Sequence, residues 1–146
     1  MIPPFEPDSG NLPPGLWETT WPEFESRYGY TEHRRALLSG LRAALDALHA
    51  AGCRRAYVNG SFITSEPSPN DFDGCWESDG VDFDLLDPVL LDVTPPRTTQ
   101  KARYGGELFE VDSTVGGWRT ALLHFFQRDR QGRPKGIIAL DLGALT

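Results

Sequence analysis

The chain has 146 residues, 39% hydrophobic and 24% charged, with 14 basic against 21 acidic side chains for a net charge of −7. That balance supplies one ordinary core, argues against disorder, and disfavours indiscriminate binding to duplex phosphate backbones. No apolar run reaches the roughly 20 residues of a membrane span, and the two cysteines, Cys53 and Cys75, are too few for a disulfide framework.

The opening Met1-Ile2-Pro3-Pro4-Phe5-Glu6-Pro7 carries neither a cationic segment nor an apolar h-region, so no export signal is expected. The expectation is one cytoplasmic domain over 1–146 with no membrane association. Residues 1–16 hold Pro3, Pro4, Pro7, Pro13 and Pro14. Each lacks an N–H and fixes φ, so this stretch reads as an arm that cannot enter a sheet interior. Ile2, Phe5, Leu12, Leu16 and Trp17 are its apolar anchors.

A short helix is predicted next: Thr20 and Glu23 have capping-box spacing, Pro22 suits a first turn, and Gly29 ends the run. Thr31 caps a longer helix on which Leu37, Leu38, Leu41, Ala44, Leu45 and Leu48 recur at helical spacing. Gly52 suits the left-handed closing position, and Gly40 inside the helix costs about 1 kcal/mol against alanine. The run from Cys53 to Asn59 reads as a strand stopped by Gly60-Ser61, and a turn spans Glu66 to Pro69. Asp71 to Trp76 alternates acid and apolar residues as a half-buried strand does.

Val81 to Leu91 admits two helical turns or a short strand, and Asp79, Asp82, Asp84 and Asp87 read as a solvated acidic loop. Arg97 to Tyr104 is a basic helical turn, 107–112 a strand, 118–126 a helix, and 136–142 a closing strand. This order predicts an α+β, or mixed α/β, domain. His33 and His49 read as surface residues, His124 as packed, Cys75 as a small buried thiol, and Trp17, Trp21, Trp76 and Trp118 as core or arm packing.

One constellation points to chemistry. A strand period of two puts Asp71 and Asp73 on one face, where two carboxylates repel unless a cation intervenes. Hard oxygen ligands of this kind suit Mg²⁺ together with phosphate oxygens. Gly60 lets backbone approach a phosphate, and Ser61 adds a hydroxyl and an N–H.

A Gly-Ser turn, a gap of about ten residues and Asp-x-Asp resemble the signature of the nucleotidyltransferase superfamily with its polymerase-beta-like fold. More closely, the chain is similar to a bacterial family of uncharacterised proteins assigned to that superfamily. The similarity lies in Ile2-Pro3-Pro4-Phe5, Asn70 to Trp76, Lys101 to Phe109, and Phe125-Phe126-Gln127 through Lys135-Gly136-Ile137. The resemblance implies a small mixed sheet with helices packed on one face, phosphate binding at Gly60 and Ser61, and Mg²⁺ or Mn²⁺ at Asp71 and Asp73. It also implies a third carboxylate on a later strand. Alternation alone favours Glu110 or Asp112, whose face is the more polar; the similar block Lys101 to Phe109, which contains Glu107, favours Glu107, the residue chosen here, with Asp112 as the alternative. Lys101 and Arg103 are candidates to steady the triphosphate or the acceptor.

The chain departs from small superfamily members in having Phe62-Ile63-Thr64 after the Gly-Ser, Asn70 before the first aspartate, Asn59 before Gly60, and Gly74 after the second aspartate. The implied reaction moves a nucleoside monophosphate from an NTP to a hydroxyl of protein, RNA or a small molecule. Membership of a toxin–antitoxin pair, with the other member as protein partner, is a further implication. The alternative is a catalytically inactive module of the same fold that binds or neutralises a partner through the same cleft.

Overall fold

In a computed structural model, which describes residues 2–92, 98–111 and 135–145, the chain forms a five-stranded mixed sheet carrying α-helices on one face. Chain order gives β1 (Gly15–Thr19), α1 (Trp21–Tyr28), α2 (Glu32–Ala50), β2 (Arg55–Asn59), β3 (Phe72–Glu77), α3 (Thr98–Tyr104), β4 (Gly106–Val111) and β5 (Gly136–Asp141). Short 3₁₀ turns lie at Ser61–Ile63, Pro88–Leu91 and Leu142–Ala144. The strand order is β1-β5-β2-β3-β4. β1 runs parallel to β5 and β3 parallel to β4, while β2 is antiparallel to both β5 and β3. The architecture is α+β, as the sequence predicts.

Local chemistry starts and stops these elements where the sequence places them. The Thr20 hydroxyl accepts from the Glu23 N–H at the head of α1, with Pro22 in the first turn. Thr31 does the same for Arg34 at the head of α2, and Gly52 adopts φ 102° beyond its end. The leucine stripe of α2 is buried against Phe24, Tyr28, Val58, Phe72, Trp76 and Leu108.

Alternation sorts the sheet into two faces. Ala56, Val58, Phe72, Trp76, Leu108, Ile138 and Leu140 join the core beneath α1 and α2, while Tyr57, Cys75, Val111, Ile137 and Ala139 form a second apolar cluster on the other side. β5 is buried on both faces, hence its near-continuous apolar run.

The proline-rich arm is ordered. Ile2 and Leu12 are buried, and Arg27 donates to the carbonyls of Ile2 and Pro3 while stacking over Phe5. After Pro14 the chain enters the sheet as edge strand β1, the position where proline-bordered segments are tolerated. Gly40 permits a close approach: a Cβ there would lie 1.8 Å from the Tyr104 carbonyl oxygen, so α3 packs directly on the α2 backbone.

The segment read as helical turns or a strand holds the 3₁₀ turn Pro88–Leu91, and its acidic loop is only partly solvated. Asp87 caps that turn through Val89, accepts the Tyr104 hydroxyl, and pairs with Arg103 at 3.2 Å. The predicted helix over 118–126, with His124, lies outside the described residues. No helix among the described residues is long and apolar enough to cross a membrane.

Candidate active site

The carboxylates gather where β2 ends and β3 and β4 begin. Asp73 is the register partner of Asn59 on β2 and of Glu107 on β4. Partners in adjacent strands point to the same side, so Asn59, Asp73 and Glu107 form one row across three strands. Asp71 precedes β3 by one residue, two before Asp73. The row lies at the end of the sheet face that carries Tyr57 and Cys75.

Register separates Glu107 from Glu110. Glu107 stands beside Asp73, while Glu110 pairs with Trp76 and so projects to the opposite face. Asp112 lies outside the described residues. The face of Glu107 looked apolar from Phe109 and Val111, because its polar residues are concentrated at one end.

Gly60 turns the chain out of β2 with φ 81°, a left-handed conformation natural to glycine. A Cβ at Gly60 would sit 2.9 Å from Asp73 Oδ2, so the Asp73 carboxylate rests against the bare Gly60 backbone. Ser61 follows, exposed, and opens the 3₁₀ turn Ser61–Ile63, which no side chain caps. Gly74 is also required: a Cβ there would lie 2.0 Å from the Tyr57 carbonyl oxygen.

The loop beyond Ser61 is held from beneath by the start of α2. Arg34, fully buried, donates to the carbonyls of Phe62 at 2.6 Å, Thr64 at 2.8 Å and Glu66 at 2.6 Å. Its guanidinium also packs against the Tyr30 and Phe62 rings. Tyr30, Thr31 and His33 bind further carbonyls at Glu66, Pro67 and Pro69. The sequence reading passed over Arg34; a lone arginine amid a leucine-rich helix, opposite a loop full of orphan carbonyls, was the available signal. His33, read as a surface residue, is exposed but tied to this loop.

Charge in the row is crowded. Burial pushes the Asp73 carboxyl up to about 6, with Asp71 and Glu107 adding to the rise and Lys101 and Lys135 opposing it. Lys101, reaching over from α3, sits 3.1 Å from Asp71 and 3.4 Å from Glu107. Those carboxylates raise its own pKa, Asp71 most strongly. Arg103, the other basic candidate on this helix, pairs with Asp87. Lys135 was not singled out from sequence; the antiparallel register of β2 and β5 carries it to this end of the sheet.

Among the described residues no group of three or more His, Cys, Asp or Glu side chains is arranged to hold a metal ion. The donor chemistry nevertheless fits a hard divalent cation. The carboxylates are oxygen donors whose mutual repulsion a cation would relieve, and Asn59 Oδ1, buried beside them, has no hydrogen-bond partner among the described residues. Cys75 is buried and in no disulfide.

This arrangement occurs in a member of the family of unknown function DUF6932, to which the chain belongs, the match running over residues 3–141. Comparison with curated proteins and with solved structures gives no match.

Proposed function

We propose that the chain is a divalent-metal-dependent nucleotidyltransferase that moves a nucleoside monophosphate from an NTP to an acceptor hydroxyl. One observation carries the reading: Asp73 lies in register with Glu107 and against Gly60, with Asp71 one strand period away. A bound Mg²⁺ or Mn²⁺ would neutralise charge on the triphosphate as the leaving oxygen departs.

The chain's own residues have the following roles in this reading. Asp71 and Asp73 hold the cation. The Gly60 and Ser61 backbone, with the Ser61 hydroxyl, receives the non-transferred phosphates. Lys101, released from Asp71 and Glu107 once a cation compensates their charge, turns to the triphosphate. The acceptor oxygen forms its bond to the α-phosphorus as the bond from that phosphorus to the bridging oxygen breaks. The electron pair leaves with pyrophosphate, and Glu107 takes the hydroxyl proton. Positioning and electrostatics do most of such catalysis.

A second reading, a binding module of the same fold without turnover, is favoured by Lys101, which already balances Asp71 and Glu107 within the chain. Under either reading the protein works in the cytoplasm, with a toxin or antitoxin as protein partner; RNA is a further acceptor class for the enzyme. The test incubates the protein with α-labelled NTPs, Mg²⁺ and candidate protein, RNA and small-molecule acceptors. Transfer of label that Asp71→Asn abolishes supports the enzyme. Biological activity that survives Asp71→Asn without label transfer supports the binding module.

A further inference from the structure

Asn59 is the least explained side chain of the row. It is only 4% exposed, and its Oδ1 is buried without a hydrogen-bond partner among the described residues. An unsatisfied buried acceptor costs about 1–3 kcal/mol, so a native fold that keeps one calls for an explanation such as a bound ion or water. Its register partner is Asp73, which places the two side chains about 4.5–5.5 Å apart at their Cβ atoms.

Two acceptors placed side by side need a donor or a cation between them. A phosphate cannot meet that need, because its oxygens are acceptors as well. The Lys101 ammonium is engaged on the other side of Asp73, with Asp71 and Glu107. A neutral amide oxygen beside carboxylates is a familiar component of hard-cation sites.

We propose that Asn59 Oδ1 is a neutral oxygen ligand of the divalent cation held at Asp73. The cation then lies towards β2, between Asn59 and Asp73, close to the Gly60 bend where the proposed phosphates dock. A side chain at the end of β2 thereby helps fix where the ion sits along the row. The proposal rests on the metal-binding reading of Asp71 and Asp73 and adds a residue to it.

The test measures Mn²⁺ binding by electron paramagnetic resonance, with no catalytic readout. Asn59→Leu, which keeps the volume, should weaken binding about tenfold or more. Asn59→Cys replaces the hard ligand with a soft one, so it should shift preference from Mn²⁺ to Cd²⁺. It should also produce an ultraviolet cadmium–thiolate band absent from the wild type and from the Asn59→Cys/Asp73→Asn double variant. If Asn59→Leu binds Mn²⁺ within twofold of wild type and Asn59→Cys shows no such band, while Asp73→Asn loses the ion, the Asn59 assignment is overturned alone. If Asp71→Asn and Asp73→Asn both bind Mn²⁺ like the wild type, the underlying metal reading fails and the assignment falls with it.

Discussion

At the scale of single residues, Asp73 is held at an energetic disadvantage. Its carboxyl is raised from 3.8 to about 6, first by burial and then by the charges of Asp71 and Glu107. Between about pH 4 and pH 6 the folded chain keeps a proton there that the unfolded chain has lost. Asp73 therefore removes stability as pH rises through that window, and the loss is complete above about pH 6. Asp73→Asn lifts this burden. Denaturant melts should find the variant more stable than wild type at pH 7, by on the order of 1–3 kcal/mol, with the gap closing towards pH 4. A variant less stable at pH 7 would show that the carboxylate is stabilised by its surroundings. The sequence announced Asp73 through its pairing with Asp71, but not its discomfort, which comes first from burial in the folded sheet and then from Asp71 and from Glu107, a residue more than thirty positions later.

At the scale of elements, two contacts between segments govern the site. Arg34 on α2 holds the loop after Ser61 by its carbonyls, and burial lowers the guanidinium's pKa. Arg34→Met keeps much of the bulk but strands the Phe62, Thr64 and Glu66 carbonyls, at a cost of about 3 kcal/mol. Hydrogen exchange should show the backbone over 61–69 losing protection more than the centre of α2; equal loss in both would mean that the arginine serves general stability. Gly40 is the second contact. In an exposed helix Gly→Ala gains about 1 kcal/mol, yet here the new Cβ would meet the Tyr104 carbonyl oxygen at 1.8 Å. Gly40→Ala should therefore destabilise the protein, by roughly 2 kcal/mol in urea melts, and a stabilised variant would deny the α2–α3 packing that delivers Lys101.

Much at this scale was legible in the sequence. Capping residues and leucine spacing marked α1 and α2, the Gly60-Ser61 stop marked the end of β2, and alternation marked β3, because local chemistry writes those signals. What was not legible depends on neighbours in space. Strand β1 follows directly on prolines and exists because β5 offers it an edge. Asp87 read as a solvated acid, yet Tyr104 and Arg103 reach it from α3. That Glu107, and not Glu110, stands beside Asp73 is set by β3–β4 register, a quantity no single segment carries.

At the scale of the whole molecule, the chain carries a net charge of −7. The sheet brings Asp71, Asp73 and Glu107 together at one end, with Lys101 and Lys135 acting on them. Lys101 pairs with Asp71 and Glu107, so in the proposed function cation and nucleotide tail would be linked: a cation would free the lysine, and the freed lysine would favour the phosphates. Binding of one ligand should therefore tighten the other by the same factor. The measurement that bears on this most directly is a Mn²⁺ titration followed by electron paramagnetic resonance, with and without a non-hydrolysable NTP analogue. The analogue should tighten Mn²⁺ binding at least fivefold, a typical coupling of about 1 kcal/mol, and Asp71→Asn and Asp73→Asn should abolish that binding. Mn²⁺ binding that ignores the analogue, or survives both substitutions, would contradict it.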